Sequence, residues 1–221
     1  NSLVVDIGSN VGVLLDCFKN QGMVTVGVDA SSNIVKKANK RGIETILGFF
    51  DKNIVKKIID KYDKASIVTA TNLFAHIQNY KSFIIDLKNL LTEDGIFVFQ
   101  VPHFLKLIKN IEYDTIYHEH ISYFGLKPLI KFFEDNQMEL FDVIETDIDG
   151  GSIRCFVSHK GRFTKSSSIK RILIEEDNER IYNIKRLKKF EKDVKQQKHD
   201  LNKILKQIKQ NGEKIVGVGA L

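Results

Sequence analysis

Two stretches of this 221-residue chain concentrate groups that could move protons. One is Tyr113–Asp114–Thr115–Ile116–Tyr117–His118–Glu119–His120, continued by Ile121–Ser122–Tyr123–Phe124, and the other is Asn72–Leu73–Phe74–Ala75–His76. Histidine titrates near neutrality, and a neighbouring carboxylate or tyrosine can tune or orient it. His118 and His120 alternate along the chain and would share one face of a strand, with Glu119 pointing away. With a distant His76 they could hold zinc, and histidines satisfied within a polar loop are the plainer alternative. Acid–base chemistry is the expectation, without a metal.

A third stretch, Asp6–Ile7–Gly8–Ser9–Asn10–Val11–Gly12, sets glycines between an apolar run and a helical pattern. Glycine there lets the backbone adopt positive φ and approach a ligand closely. About twenty residues on, Val26–Gly27–Val28–Asp29 ends on a carboxylate, where an acid can accept both hydroxyls of a ribose. Gly-rich turns also serve as tight strand–helix connections, and it is the acid at this distance that favours a cofactor. The spacing is Gly8-x-x-x-Gly12, not G-x-G-x-x-G, so close approach to a pyrophosphate is poorly provided for. Asp6 would repel a phosphate and suits a cationic sulfonium with its amino group.

The elements that must position these groups follow from the hydrophobic pattern. Strands are predicted at Leu3–Asp6, Val24–Asp29, Ile43–Leu47, Ser66–Thr71 and Gly95–Val101. Helices are predicted between them at Gly12–Gln21, Asn33–Arg41, Lys52–Tyr62 and Tyr80–Leu91. Such alternation means right-handed βαβ crossovers and an α/β fold with a parallel sheet. The rhythm then changes. His103–Asn110 is a short helix, Glu112–Phe124 a loop with a little strand, and Leu126–Gln137 a helix with Pro128 in its first turn. Glu139–Thr146 and Ile153–His159 read as a hairpin joined across Asp149–Gly150–Gly151. Residues 168–210 form one or two long amphipathic helices, with packing on the chain's own body expected ahead of a dimeric coiled coil, and apolar residues Leu187, Phe190, Val194, Leu201, Ile204 and Ile208 fall near a seven-residue repeat. Glu213–Leu221 begins a new strand ending in Gly217 and Gly219, so the chain reads as a fragment of a longer protein. The division expected is a sheet domain over 1–160, a helical linker over 161–211, and the start of a second nucleotide-type α/β domain over 212–221.

Composition bounds the rest. With 43% hydrophobic residues and 34 Lys+Arg against 28 Asp+Glu, the chain is neither disordered nor strongly charged. No run approaches the roughly 18–20 apolar residues of a membrane span. Asn1–Ser2 lead straight into an apolar strand, without a secretory leader. Cys17 and Cys155 cannot form a disulfide framework or a four-cysteine zinc site, which reads as a reducing, cytoplasmic setting. Residues 160–211 hold 16 Lys/Arg and 7 Asp/Glu, which leaves the remainder net negative. A surplus confined to one helical segment without aromatics is a solvated face and predicts no nucleic-acid partner.

The D-x-G-x-x-x-G loop and the terminal hairpin resemble those of S-adenosylmethionine-dependent methyltransferases of the Rossmann-like class I type. That resemblance implies Asp6, Gly8 and Gly12, with Asn10 in the same loop, around the methionine part of S-adenosyl-L-methionine. It implies Asp29 on the ribose, Phe49–Phe50 near the adenine, and Asn72 beside the methyl-donor end. The segment Tyr-Asp-x-Ile-Tyr-His-Glu-His-x-Ser-Tyr-Phe is similar to the hallmark of C-methyltransferases that act on nucleotide-linked keto-deoxysugars. Asn72–His76, Gly150–Gly151–Ser152–Ile153–Arg154 and Gly217–Ala220 match further motifs of that family. Two departures stand out. Val11 occupies a position where the family usually has Asp, and the family's N-terminal cysteine-rich zinc domain has no counterpart, so zinc is implied for that domain alone.

If the resemblance holds, the reaction removes a proton from the carbon beside a sugar ketone, and that carbon then takes the methyl in line. His120 is the expected base, oriented by Glu119, with Tyr117 and His76 donating to the developing oxyanion; His76 is the competing base. Arg154, whose planar fork pairs with phosphate oxygens, suits a diphosphate, with Ser152 and His118 also on the substrate side. The rival readings are an O- or N-methyltransferase, an NAD-type dehydrogenase, and a non-catalytic interaction module.

Overall fold

The computed structural model describes residues 2–218. Five parallel strands, β1 (Leu3–Ile7), β2 (Val24–Asp29), β3 (Thr45–Leu47), β4 (Ala65–Thr71) and β5 (Leu91–Pro102), alternate with helices α1 (Val13–Asn20), α2 (Ser32–Lys40), α3 (Lys52–Tyr62) and α4 (Tyr80–Leu90). After α5 (Phe104–Asn110) and α6 (Leu126–Asp135), strands β6 (Met138–Thr146) and β7 (Ser152–His159) complete one seven-stranded sheet. Its order is β3-β2-β1-β4-β5-β7-β6, with β7 antiparallel to both neighbours. Strand order reverses beside β1, and ligands of open α/β sheets gather at such a point, beyond the carboxyl ends of the strands.

β1 is buried throughout, as a central parallel strand covered on both faces must be. β5 starts four residues earlier than its apolar run predicts. Leu91 pairs with Ala65 and then Ile96 with Ile67, so Thr92–Gly95 are absorbed by an irregularity in the ladder. On one side of the sheet the core centres on Phe74, whose ring lies 4.5–6.4 Å from the rings of Tyr80, Phe83, Phe97, Phe99, Phe124, Phe132 and Phe133. Offset and edge contacts of this kind add about 0.5–1.5 kcal/mol per pair beyond area burial. Asp51 caps α3 by accepting from the amides of Asn53 and Ile54, and Asn79 caps α4 through the amide of Ser82.

The 168–210 pattern resolves into two helices, α7 (Ser167–Asn178) and α8 (Ile184–Gln210). α7 is no linker: Ile169 and Ile172 belong to the main core. Among the described residues α8 packs on the sheet domain by its first turns, where Leu187 and Phe190 lie on Leu105, Leu107, Ile108 and Ile181. Farther along, Leu201 and Ile204 are exposed, so the expected packing of the whole repeat on the body stops at its first third. Residues 213–218 adopt no regular structure, and the predicted strand's remaining residues, including Gly219 and Ala220, lie outside the described residues. Among the described residues no helix is long and apolar enough to cross a membrane.

Candidate active site

The glycine loop turns over the end of β1. Gly8, Asn10 and Gly12 all have positive φ, at 73°, 49° and 81°. The amides of Gly8 and Ser9 both donate to the Val28 carbonyl, and this ties the loop to β2. A Cβ on Gly12 would sit 2.6 Å from Cγ2 of the buried Ile43, so this glycine is needed for room as well as for conformation. Asp29 closes the far side. Its Oδ2 accepts from the Asn10 amide at 3.0 Å and its Oδ1 from the Ser31 amide at 2.8 Å. Each oxygen thus spends one acceptor site on the loops and keeps capacity for a ligand.

Beside this loop opens a cavity of about 570 Å³ lined by Gly8, Asp29, Phe49, Phe50, Leu73 and His76, among others. Phe50 is half-buried with its ring 5.2 Å from that of Phe83, and Phe49 stands 81% exposed at the rim. Asp6 is not in the cavity wall. It lies buried beneath the loop, accepting from the Thr69 hydroxyl at 2.6 Å. Burial pushes its carboxyl up to about 6, against the Thr69 hydrogen bond and with a smaller contribution from the negative charge of Asp29. Asn10 and Gly12 likewise shape the loop without lining the cavity.

A second cavity, about 580 Å³, lies beyond β4 and β5. It is lined by Asn72, His76, Tyr117 and His120 together with four carboxylates, Glu112, Asp114, Glu119 and Asp149, and among the described residues no lysine or arginine lines it. His76 borders both cavities. Its ring is 5.1 Å from that of His120, and the Ile121 amide donates to the Ala75 carbonyl, so the two histidine-bearing stretches meet here.

His120 is held at both ring nitrogens. Nδ1 lies 2.9 Å from the Thr115 carbonyl and Nε2 lies 3.0 Å from the Tyr117 hydroxyl. A carbonyl only accepts, so Nδ1 carries the proton and Nε2 of the neutral ring is the basic atom, receiving the Tyr117 O–H. The orienting group is therefore a backbone carbonyl and not Glu119, which lines the cavity while both ring nitrogens are engaged elsewhere. Thr115 was invisible as an orienter in the sequence, because any residue there supplies the same carbonyl.

Three further expectations change. The His118–His120 stretch is not a strand but a run of turns after a 3₁₀ turn at Tyr113–Thr115. His118 is accordingly exposed and outside the cavity wall. Arg154, on β7, donates to the Gln100 side chain at 2.9 Å and does not line the cavity. Ser152 is buried, its hydroxyl bonding the Ile148 carbonyl. The hairpin reaches the site instead through Asp149, which accepts from the Asn72 side chain. Within Asn72–His76 the work divides: Asn72 and His76 face the second cavity, Leu73 packs on Gly8, and Phe74 anchors the core.

A doubly wound sheet with a terminal antiparallel hairpin and a carboxylate at the end of β2 defines the Rossmann-like methyltransferase fold. The chain belongs to the methyltransferase-domain family, which it matches over residues 1–143, and residues 147–221 match the C-methyltransferase C-terminal domain. It is 32% identical to the C-methyltransferase NovU of Streptomyces niveus over 99% of this chain and 52% of that protein. The chain thus spans about half the length of that relative. In fold it is similar to a putative methyltransferase bound to the Trm112 activator of Haloferax volcanii (15% identity, 72% of this chain and 83% of that one, TM-score 0.57). It is also similar to the magnesium protoporphyrin IX methyltransferase of Synechocystis with bound SAH (17% identity, 72% and 75%, TM-score 0.54).

Proposed function

We propose that the chain binds S-adenosyl-L-methionine in the first cavity and methylates, in the second, the carbon beside the ketone of a nucleotide-linked 4-keto-deoxysugar. The observation that carries this reading is the Tyr117–His120 pair, held with its basic nitrogen at a cavity that meets the glycine-loop cavity at His76. The first cavity fits the cofactor chemically. Asp29 retains acceptor capacity for ribose hydroxyls, Phe49 and Phe50 offer aromatic surface for the adenine, and Gly8 puts no side chain into the cavity. Asp6, below the loop, supplies negative charge toward the methionine end without direct access to it. When bound, the cofactor supplies an electrophilic methyl on a sulfonium.

The residues do the remainder. Tyr117 now donates to Nε2 of His120. Turning that hydroxyl toward the ketone oxygen gives the oxygen a hydrogen bond and frees the Nε2 lone pair to remove the proton from the adjacent carbon. His76, beside His120 and bordering the cofactor cavity, is the second donor to the oxyanion. The electron pair of the broken carbon–hydrogen bond forms the new bond to the methyl carbon as that carbon's bond to sulfur breaks, leaving S-adenosylhomocysteine, and the proton leaves on the His120 imidazolium. The acidic wall of the second cavity suits the sugar and not its diphosphate, which must lie outside it.

Calorimetric titration with S-adenosylhomocysteine, with NAD(H) alongside, tests the cofactor assignment: micromolar binding of the former alone is expected, and binding of NAD(H) alone overturns it. Deuterium uptake at the carbon beside the ketone of a nucleotide-linked 4-keto-sugar tests the chemistry in the intact protein. Methyl transfer to that substrate without such exchange in the partial reaction would point to an oxygen or nitrogen acceptor.

A further inference from the structure

Behind the second cavity lies a buried polar cluster that the proposed reaction does not use. Glu176 on α7 is 0% exposed, yet each of its oxygens accepts twice. Oε1 takes Nε2 of His103 at 2.8 Å and the Leu126 amide at 2.5 Å; Oε2 takes the Tyr182 hydroxyl at 2.6 Å and the Lys127 amide at 3.2 Å. A carboxylate at the first amides of α6 satisfies donors that no cap residue of that helix serves, since Gly125 offers none. Gly125 is itself required there, because a Cβ would lie 2.1 Å from the Tyr182 oxygen.

The groups Glu176 joins are the anchors of the site. His103 follows Pro102, which lines the second cavity, and its amide donates to Gly151 in the hairpin loop. His103 also bridges Phe124, the residue that closes the segment carrying Tyr117 and His120, and the Phe104 amide donates to the Phe124 carbonyl. The end of β5, the end of the proton-moving segment and the start of α6 are therefore held to one carboxylate. That carboxylate comes from the part of the chain matching the C-methyltransferase C-terminal domain.

We propose that Glu176 is a positioning residue that fixes the Tyr117–His120 pair through His103, Phe124 and the first turn of α6. The proposal rests on reading that pair as the acid–base centre. Misplacement of reacting groups by about 1 Å can cost on the order of a hundredfold in rate.

The test uses the intact protein with labelled histidine, reading the ring-nitrogen resonances of His120 by NMR, and two variants, Glu176→Gln and Tyr182→Phe. In the unaltered protein the His120 ring is expected as the single tautomer protonated at Nδ1. Glu176→Gln should move its resonances toward the average of the two tautomers and lower turnover about ten- to a hundredfold with KM nearly unchanged. Tyr182→Phe should do the same to a smaller extent, and S-adenosylhomocysteine affinity should stay within about twofold in both. If Glu176→Gln fails to fold, Tyr182→Phe decides alone. His120 resonances superimposable on those of the unaltered protein, with turnover unchanged, overturn the proposal. A His120→Asn variant with undiminished turnover would instead overturn the acid–base reading, while the ring resonances of the other two variants still report on positioning.

Discussion

Asn72 and Asp149 are 77 residues apart and joined side chain to side chain at 3.0 Å, each held in the left-handed backbone region with φ near 54° and 53°. The bond ties the turn after β4 to the hairpin loop across the mouth of the second cavity. Left-handed backbone costs a non-glycine residue about 1–2 kcal/mol, less for Asn and Asp. Asn72→Ala should therefore destabilise the protein by about 1–2 kcal/mol in urea unfolding. Asn72→Gly, which loses the same bond but not the backbone compatibility, should cost less than half as much. Equal losses would show that the side-chain bond, and not the backbone, carries the stability.

His120→Asn should lower turnover at least about a hundredfold and leave S-adenosylhomocysteine binding intact, since the ring lies in the second cavity. Tyr117→Phe should lower it by about 10²–10³. Turnover by His120→Asn within twofold of the unaltered enzyme would remove His120 as the base.

Asp29→Ala should act on the other cavity. Loss of the carboxylate removes the proposed ribose acceptor and frees the Asn10 and Ser31 amides, so S-adenosylhomocysteine affinity should fall about tenfold or more. Unaltered affinity by calorimetry would contradict the ribose assignment.

Asp6 gives a pH dependence of definite sign. Its carboxyl is raised in the folded chain to about 6 from an ordinary 3.8, so folding disfavours the charged form. The resulting penalty is absent below about pH 4, grows as pH rises through 6, and is constant above, reaching on the order of 2–3 kcal/mol. Asp6→Asn keeps an acceptor for Thr69. It should raise Tm at pH 8 by several degrees, with the gain vanishing near pH 4. A gain independent of pH would mean that charge burial is not its origin.

Gly12 and Gly22 provide a matched comparison, with φ of 81° and 80°. Nothing lies within 4 Å of a Cβ on Gly22, whereas one on Gly12 meets Ile43. Gly22→Ala should cost about 1 kcal/mol and Gly12→Ala about 2–4 kcal/mol in chemical unfolding. Equal costs would mean that Ile43 shifts freely.

Much of the fold was legible in the sequence because β-branched runs and 3.6-residue periods alternate cleanly through residue 101, and Asp149–Gly150–Gly151 marks the hairpin. The extension of β5 to Leu91 was not, because Thr92–Gly95 carries turn residues that the ladder absorbs. Of the candidate site, Gly8, Asp29, Phe50, His76, Tyr117 and His120 gather around the two cavities, as side chains with recognisable chemistry can be found by type and spacing. Arg154 and Ser152, expected on the substrate side, do not line the second cavity, because their strand turns them toward Gln100 and Ile148, an orientation set by pairing register that residue type does not encode. Thr115 and Glu176 were missed for opposite reasons: the first acts through its backbone, and the second sits among charged residues of a helix whose surroundings only the tertiary structure reveals.

The β6–β7 hairpin straddles the change from one family match to the other, β6 falling largely before residue 143 and β7 wholly after 147. Since β7 is inserted between β5 and β6 and buries Ile153, Cys155 and Val157, the two matched regions share a sheet and cannot be exchanged like beads on a string. Recombination at their nominal border would pull the sixth strand of the sheet out of register with its neighbours. A swap between relatives that keeps this sheet intact would cross after α7, so that Glu176 stays with the start of α6 and the end of β5 that it joins.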